Sequence, residues 1–317
     1  MKIIIHTPVS TVRRNGNHRT ATEWAKLLRD EGHQVHITSR YDGKLADLLI
    51  TLHGEKGHQA AELFRSKHPG KKIVLALTGT DIYPAPSATT LESMAWADGI
   101  IVLQSKAMEK VPPGFHEKTR IVIQSAPDNL HRPQTDSAEF RVCVAAHFRD
   151  VKDPLLTADA ARRLPADSAI QIYHAGGILD SKYADLVARE ENENPRYHWL
   201  GELSPEDTAE LLASCHLMVL SSHNEGGARV VGEALCCDTP VLSTRIDGVL
   251  GLLGDSYPGF FPLGNADELA ALLQQCETDP VYYQTLQNAA NALKGQFAPE
   301  KERESFLALI HEVDSTK

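Results

Sequence analysis

The fold is decided by the stretch Ser221-Ser222-His223-Asn224-Glu225-Gly226-Gly227-Ala228-Arg229-Val230-Val231-Gly232-Glu233-Ala234-Leu235. An apolar strand candidate precedes it at residues 216–220, and a second follows it at residues 240–243. This order of strand, glycine-bearing loop and helix predicts a first helical turn near Gly227 and Ala228. Unpaired backbone N–H groups and the positive end of the helix dipole collect at such a turn, so it suits a phosphate group or a developing anion.

Two carboxylates frame this turn: Glu225 lies in the loop, and Glu233 lies two turns into the helix. At ~1.5 Å rise per residue, eight positions separate their backbones by about 12 Å, roughly the distance between the sugar and the ribose of a nucleotide-sugar. Carboxylates accept hydrogen bonds from hydroxyl groups strongly, so one at each end suits such a ligand. The alternative interpretation is a helix with one exposed glutamate and another near its cap.

The flanking residues point to a known family. Glu225-Gly226, then Glu233-Ala234-Leu235, then Pro240-Val241 resemble the Glu, seven residues, Glu signature of family-4-like glycosyltransferases of the GT-B fold. The resemblance implies an α/β protein with two Rossmann-like parallel-sheet domains facing a central cleft. It also implies that Glu225 contacts the donor sugar and that Glu233 contacts the ribose hydroxyls.

Composition excludes several classes of protein. The chain has 317 residues, which is enough for two domains. Apolar residues make up 42% of it, and no run of them is long enough to span a membrane. Its first eight residues predict a buried strand rather than a signal peptide, so a cytoplasmic protein is expected. Five cysteines without metal-type spacing fit a reducing compartment, and a net charge of −10 argues against general nucleic-acid binding.

Alternating strand and helix patterns predict two domains. Strands expected at residues 2–9, 34–38, 47–52, 72–77 and 99–103 would form right-handed βαβ units of an N-terminal Rossmann-like acceptor domain, residues 1–123. The polar, proline-containing stretch 124–139 predicts a linker. A second series, residues 140–298, predicts a Rossmann-like UDP-sugar-binding domain. By analogy with GT-B proteins, the last helix, within residues 299–317, crosses back to the first domain.

Polar loops follow three strands of the first domain, at the sheet edge where ligands bind to open parallel sheets. These loops are residues 13–20, 52–56 and 77–81, and their convergence favours a shared cleft. A solvated or structural loop is the alternative for any single residue. We expect His53, Thr80 and Asp81 to lie at the reacting face. The predicted acceptor-binding residues are Arg13, Arg14, Asn15, Asn17, His18, Arg19, Lys56, Thr78 and Thr80.

The second domain supplies the expected donor site. Its first strand, residues 141–146, leads into Arg149 and Lys152, which can clamp a diphosphate and neutralise the charge that grows as it leaves. GT-B transferases carry an arginine and a lysine at the matching place, whereas the alternative is a charged turn. The family resemblance implies a pocket for the nucleotide base at residues 197–201, before a helix that begins at Ser204-Pro205. The predicted donor-binding residues are Gly16 of the first domain and Gly201, Gly226, Gly227, Ala228 and Glu233 of the second.

A narrower resemblance covers residues 15 to about 254. The stretches 15–21, 77–83, 102–104, 147–154 and 248–254 are similar to the selenosugar synthase of selenoneine biosynthesis. They include Leu77-Thr78-Gly79-Thr80-Asp81-Ile82-Tyr83 and His147-Phe148-Arg149-Asp150-Val151-Lys152-Asp153-Pro154. The chain departs from the expected pattern at His53-Gly54-Glu55-Lys56, where a more basic loop would be typical.

That resemblance implies formation of a carbon–selenium bond. A UDP-sugar, with N-acetylglucosamine as the sugar, would donate its glycosyl group to selenophosphate, giving a 1-selenosugar, UDP and phosphate. Selenophosphate is already a deprotonated nucleophile, so a general base matters less than for a hydroxyl acceptor. The implied partners are these two substrates and the downstream selenoneine-forming enzyme. The predicted catalytic residues are Arg149, Lys152, Glu225, Asp81 and His53.

The chain contains no Asp-x-Asp pair, so neither a bound metal nor another cofactor is expected. Three other functions share the predicted architecture. A conventional hexosyltransferase would use a hydroxyl acceptor and ignore selenophosphate. A non-hydrolysing UDP-sugar 2-epimerase would convert the donor without an acceptor, and a non-catalytic UDP-sugar-binding protein would release no UDP.

Overall fold

The computed structural model describes residues 1–8, 16–126 and 138–315 of the chain. These residues form two compact units. The first comprises Met1–Gln124, Glu225–Gly227 and Pro299–Lys317, and the second comprises Ser125–Asn224 and Ala228–Ala298. Residues 127–137, most of the predicted linker, lie outside the described ranges, as do Arg13, Arg14 and Asn15.

The strands of both units are short and largely apolar. They are β1 Lys2–His6, β2 Gln34–Thr38, β3 Leu48–Leu52, β4 Lys72–Ala76, β5 Gly99–Val102, β6 Thr119–Ile121, β7 Phe140–Ala145, β8 Ile170–Ala175, β9 Tyr197–Trp199, β10 Leu217–Leu220, β11 Val241–Thr244 and β12 Phe260–Phe261. Every residue of β3, β5 and β10 is buried, because strands covered on both faces must be apolar throughout.

Helices separate most of these strands. They are α1 Gly16–Asp30, α2 His58–Lys67, α3 Ala88–Trp96, α4 Leu156–Ala161, α5 Tyr183–Glu193, α6 Pro205–Ser214, α7 Arg229–Cys236, α8 Asp247–Leu253, α9 Ala266–Thr278, α10 Pro280–Leu293 and α11 Pro299–Ser315. None of the helices in the described ranges is both long and apolar enough to cross a membrane.

Each unit contains a six-stranded parallel sheet. The order is β2-β1-β3-β4-β5-β6 in the first unit and β12-β11-β10-β7-β8-β9 in the second. In both sheets the order reverses next to the first strand, between β1 and β3 and between β7 and β10. Ligands of open parallel sheets bind outside the carboxyl ends of the strands at such reversals. A ligand-binding site is therefore expected at the loops after β1, β3, β7 and β10.

One helix far along the chain completes the core of the first unit. Phe306 of α11 stacks on Trp24 of α1 with ring centroids 4.7 Å apart. The indole N–H of Trp24 donates to Oε1 of Glu302 at 2.9 Å, so this buried carboxylate has a buried partner. Packing of α11 against α1 therefore covers one face of the first sheet.

The predicted fold class, two Rossmann-like parallel sheets, is confirmed. The predicted helix start at Ser204-Pro205 is also confirmed, because Ser204 Oγ accepts the amide N–H of Asp207 at 3.0 Å. Strand β6 was not predicted from the sequence, because its three residues are too few to show an apolar period.

Two boundaries near the N-terminus were predicted wrongly. The first strand ends at His6 rather than at residue 9, and α1 begins at Gly16, within the stretch 13–20 that was predicted as a loop. Gly16, Asn17, His18 and Arg19 therefore lie in the first turn of α1 instead of in a loop. No strong breaker interrupts residues 17–20, and Thr20 Oγ1 donates to the carbonyl of Gly16 at 2.9 Å, which extends the helix backwards.

Candidate active site

In the first unit, the side chain of Asp81 organises the loops that follow β3 and β4. Its carboxylate is buried and accepts three backbone N–H groups, those of Gly54 at 2.8 Å, Thr78 at 2.9 Å and Gly79 at 2.8 Å. One buried charge therefore joins both loops through backbone donors. Charge-assisted hydrogen bonds of this kind are strong, so Asp81 fixes the shape of this edge.

His53 is held beside Asp81 in a single protonation state. Its Nδ1 accepts the amide N–H of Lys56 at 3.2 Å, so the ring proton is on Nε2, which donates to Thr80 Oγ1 at 2.9 Å. Burial lowers the pKa of His53, and the carboxylate of Asp81, 3.9 Å from Nδ1, opposes that shift only in part. The imidazole is therefore neutral at pH 7, and both of its nitrogens are occupied.

The backbone of His53 has a φ of 78°, a left-handed conformation that is uncommon for a residue with a side chain. The neighbouring Gly57 has no room for a Cβ, which would lie 2.2 Å from Thr51 Oγ1. The sharp turn after β3 therefore depends on both residues. Glu55, Lys56 and Thr80 are exposed and Thr78 is half-buried, so this edge carries a carboxylate, an ammonium and hydroxyls.

Four of the predicted first-unit residues lie in α1. The guanidinium of Arg19 pairs with Glu23 one turn later, with Nε 3.0 Å from Oε1. The hydroxyl of Thr22 donates to the carbonyl of His18 at 2.9 Å. Gly16 is exposed and an added Cβ there would meet nothing within 4 Å, so this glycine is not required by packing.

In the second unit a single 3₁₀ turn, Asp150–Lys152, follows β7, with Arg149 as its N-cap and Lys152 as its last residue. The guanidinium of Arg149 is exposed and Lys152 is half-buried. The next residue, Asp153, has φ 43° and ψ 57°, a left-handed conformation that asparagine and aspartate tolerate better than most residues. The turn thus presents two cations within four positions.

The loop after β10 braces this turn. The hydroxyl of Ser221 lies 3.0 Å from the carbonyl of Lys152 and 2.9 Å from that of Asp153. The amide N–H of His223 donates to the carbonyl of Val151 at 2.8 Å, and its ring Nε2 lies 3.5 Å from the Asp153 carboxylate. Burial raises the pKa of Asp153, and His223 opposes that rise. The two loops at the strand-order reversal therefore act as one support.

A buried aromatic cluster anchors the base of the same turn. Phe148 stacks on His174 with ring centroids 4.3 Å apart, and the hydroxyl of Tyr197 donates to Nδ1 of His174 at 2.8 Å. The other nitrogen, Nε2, donates to the carbonyl of Ala146 at 2.9 Å. Burial lowers the pKa of His174 to about 4, so it is a neutral structural imidazole that holds the end of β8 against the end of β7.

A second contact joins the loops after β7 and β8. Nδ1 of His147 accepts the amide N–H of Gly177 at 3.0 Å. Burial lowers the pKa of His147, and Glu202 opposes this shift. A Cβ on Gly177 would lie 2.9 Å from Glu202 Oε2, so the loop after β9 passes close to this glycine. In that loop Gly201 has a φ of 72°, which favours glycine.

The stretch 221–235, which carries the two glutamates of the family signature, is divided between the units. Glu225, Gly226 and Gly227 belong to the first unit, whereas Ala228 and Glu233 belong to the second. Ala228 caps α7 with φ 25° and ψ 53°, and the helix proper begins at Arg229, one residue after the predicted turn. Glu233 is half-buried on α7.

Some residues that shape these edges have no assigned role in the sequence interpretation. They are Ser221, His223 and Asp153 around the turn after β7, and Ser93, whose hydroxyl donates to the carbonyl of Gly54 at 2.7 Å. The pair Asp153-Pro154 after a charged turn was a usable signal, because aspartate tolerates the left-handed conformation. Ser93 lies 39 positions from its partner and gave no local signal.

Within residues 1–8, 16–126 and 138–315, no group of three or more His, Cys, Asp or Glu side chains is arranged to hold a metal ion.

Comparison with solved structures identifies the fold. The structure is similar to the crystal structure of HepE from Anabaena in complex with UDP, with a TM-score of 0.81 and 16% sequence identity over 98% of this chain and 100% of that chain. At this identity the similarity establishes the fold, which is GT-B as predicted.

Two curated relatives match shorter segments. An uncharacterized glycosyltransferase of Methanocaldococcus jannaschii, MJ1178, is 26% identical over 126 residues, 39% of this chain and 35% of that protein. The lipopolysaccharide core biosynthesis glycosyltransferase LpsE of Rhizobium meliloti is 30% identical over 107 residues, 33% of this chain and 32% of that protein. The matched segments thus span about a third of the length of these relatives.

The family assignment rests on a longer match. The model of the family described as glycosyl transferases group 1 matches residues 128–293, which is more than half of the chain. This range includes β7 to β12, the turn with Arg149 and Lys152, and α7 with Glu233. The chain therefore belongs to the group 1 glycosyl transferase family.

Proposed function

We propose that the protein transfers N-acetylglucosamine from its UDP-sugar to selenophosphate. The bond between C1 of the sugar and the diphosphate oxygen breaks, a C1–Se bond forms, and UDP leaves. Water then cleaves the Se–P bond of the product, which gives phosphate and a 1-selenosugar. A UDP-sugar donor is supported by membership of the family and by the UDP bound to HepE, a protein of the same fold.

The turn after β7 supports the donor half of this proposal. Arg149 is exposed, and the backbone next to Lys152 is fixed by the hydroxyl of Ser221. Cations held in a fixed position stabilise the negative charge that grows on a leaving diphosphate without reorganising during the reaction. Glu233 on α7 would accept hydrogen bonds from the ribose hydroxyls, as the family resemblance implies.

The acceptor half rests on one observation: the atoms of His53 and Asp81 that could take a proton already accept backbone N–H groups. A hydroxyl acceptor needs a group that takes its proton, and such a group must be free to accept a hydrogen bond from it. Both oxygens of Asp81 accept backbone N–H groups, and Nδ1 of His53 accepts that of Lys56. This favours an acceptor that arrives ionised. Selenophosphate does, and its selenium is a strong nucleophile.

The deciding experiment measures UDP release from UDP-N-acetylglucosamine by the purified protein under anaerobic conditions, with and without selenophosphate. The sugar product is identified by its mass and selenium isotope pattern. We expect UDP release that depends on selenophosphate and a selenium-containing sugar. No stimulation by selenophosphate would contradict the proposal.

The same assay separates the other functions that the sequence leaves open. Release that depends on a sugar or lipid alcohol instead would indicate a conventional hexosyltransferase. Conversion of the donor without any acceptor would indicate an epimerase, and donor binding without UDP release under any condition would indicate a binding protein.

A further inference from the structure

The first unit contains a cavity of about 620 Å³ at the carboxyl ends of β1, β2 and β3. Its volume lies in the range of small-molecule sites, about 300–1,000 Å³. Its polar lining includes His6, Arg40, Glu55, Lys56, His58 and Gln59. Of these, only Lys56 was a candidate from the sequence.

Two cations dominate the charge of the wall. Arg40 and Lys56 are both exposed, and neither has a carboxylate within 4.0 Å among the residues that the structure describes. Glu55 is the carboxylate on the same wall. The backbone at Arg40 is fixed, because Thr38 Oγ1 accepts its N–H at 3.1 Å and donates to its carbonyl at 2.7 Å. The backbone that carries the guanidinium is therefore held in place.

The N-terminus of α2 adds backbone donors. His58 and Gln59, in the first turn of this ten-residue helix, line the cavity, and its N-cap, Gly57, supplies no side-chain hydrogen bond. The N–H groups of Gly57 and His58 donate to the carbonyls of His53 at 2.8 Å and Glu55 at 3.3 Å, so the donors that this turn offers are the N–H groups of Gln59 and Ala60. The first turn of a helix carries N–H groups without partners in the helix and the positive end of the dipole. Helix termini of this kind bind phosphate-like anions when a cation lies beside them.

Buried contacts hold the wall rigid. Nδ1 of His6 lies 3.1 Å from Thr51 Oγ1, and burial lowers the pKa of His6, so it is neutral at pH 7. The ring of His58 stacks on Trp96 with centroids 4.7 Å apart, and its Nδ1 lies 2.9 Å from Ser93 Oγ. The cavity therefore needs little reorganisation to receive a ligand, which favours binding.

We propose that this cavity binds a tetrahedral phosphate-like dianion, with Arg40, Lys56 and the first turn of α2 as its donors. Its assignment to selenophosphate rests on the proposed function, whereas anion binding itself does not. The same chemistry would recognise either a free selenophosphate ion or the phosphate group of a larger ester.

Thiophosphate is the probe for the free ion, because it has the same shape and charge and withstands handling in air, and glycerol 3-phosphate is the probe for an ester. Isothermal titration in a phosphate-free buffer gives the affinity of each. We expect the Arg40→Ala and Lys56→Ala variants to bind thiophosphate ~10-fold more weakly and the double variant to bind still more weakly. Affinity for UDP should stay unchanged, and higher salt should weaken the binding.

Two controls keep the test interpretable. Lys26→Ala removes an exposed lysine of α1 far from the cavity wall in sequence, and it should leave anion affinity unchanged. The charge-preserving pair Arg40→Lys and Lys56→Arg should retain most of the affinity if charge is what matters. Tighter binding of glycerol 3-phosphate than of thiophosphate would assign the cavity to a phosphate ester rather than to the free ion.

The outcomes separate this proposal from the proposed function. Unchanged thiophosphate affinity in the double variant would overturn the cavity assignment even if turnover depends on selenophosphate. Loss of anion binding in the double variant, with no selenophosphate-dependent turnover by the unmodified protein, would keep the anion site and overturn the selenosugar synthase.

Discussion

The loops after β3 and β4 in the first unit and the turn after β7 in the second both place charged residues at the carboxyl ends of parallel strands, but they use them differently. In the first unit the carboxylate of Asp81 is buried and its oxygens are filled by backbone N–H groups. In the second unit Arg149 is exposed, and the backbone around it is braced by Ser221. A charged residue near a site can therefore shape the loop or act on a ligand, and hydrogen bonding distinguishes the two roles.

The largest effect is expected from removing the buried charge. Asp81→Ala would leave three buried N–H groups without their acceptor, and each such loss costs ~1–3 kcal/mol. We expect the free energy of unfolding of the first unit to fall by about 3 kcal/mol or more. Urea unfolding in a Trp199→Phe background measures it, because Trp24 and Trp96 then report on this unit.

The matched control is Asp30→Ala, which removes an exposed carboxylate at the end of α1. It should change the unfolding midpoint little, as is usual for surface positions. Equal midpoints for Asp81→Ala and Asp30→Ala would mean that Asp81 does not organise the loops, and its role would have to be sought in chemistry.

The next effect concerns the turn after β7, where a charged residue is expected to act on the ligand. Lys152→Ala should slow turnover by ~10²-fold while leaving stability nearly unchanged, because the ammonium is needed for the charge that develops on the diphosphate. Steady-state UDP release and a thermal melt measure the two quantities. Lys26→Ala serves as the control for loss of a lysine elsewhere. A large loss of stability with unchanged turnover would place Lys152 with Asp81 as a structural residue.

A smaller effect concerns the pH dependence of stability. The pKa of His174 in the folded state is about 4, below the unfolded value of about 6.5. As pH falls from 6.5 towards 4, the unfolded chain binds a proton that the folded chain does not, so stability falls. Between pH 7 and pH 5 this one residue should remove about 2 kcal/mol of unfolding free energy.

Comparison with His174→Gln isolates this contribution, since an amide can still accept from Tyr197 and donate to Ala146. The variant should lose stability less steeply than the unmodified protein as pH falls. The remaining slope has contributions of the same sign from His53 and His147, whose pKa values are also lowered by burial. Parallel pH profiles for the two proteins would show that His174 is not a buried neutral imidazole.

The sequence predicted the parts of this structure that depend on local patterns. The apolar run before Ser221, the glycine loop and the helix with Glu233 are all present, with an error of one residue at the start of α7. Alternating apolar strands and helices likewise predicted two parallel sheets. Such features can be predicted from the sequence because a strand or a helix turn is determined by residues a few positions apart.

The roles of individual side chains were harder to predict because they depend on distant contacts. His53 and Asp81 are 28 positions apart, and nothing local indicates that backbone N–H groups already occupy the proton-accepting atoms of both. Arg40 was missed because a single arginine after a strand carries no motif, and only the fold brings it to the same cavity as Lys56. The start of α1 was predicted wrongly because polar residues in a first turn resemble a loop.

The smallest expected effect concerns Asp153, whose left-handed backbone lies beside Lys152. Glycine adopts this conformation without a steric cost, whereas alanine costs ~1–2 kcal/mol there. We therefore expect Asp153→Gly to be about 1 kcal/mol more stable than Asp153→Ala in urea unfolding. Both variants lose the contact with His223, so any loss of activity that they share reports on the carboxylate rather than on the backbone. Equal stability of the two would show that the turn relaxes out of the left-handed region, and the brace from Ser221 would then be too weak to hold the two cations in place.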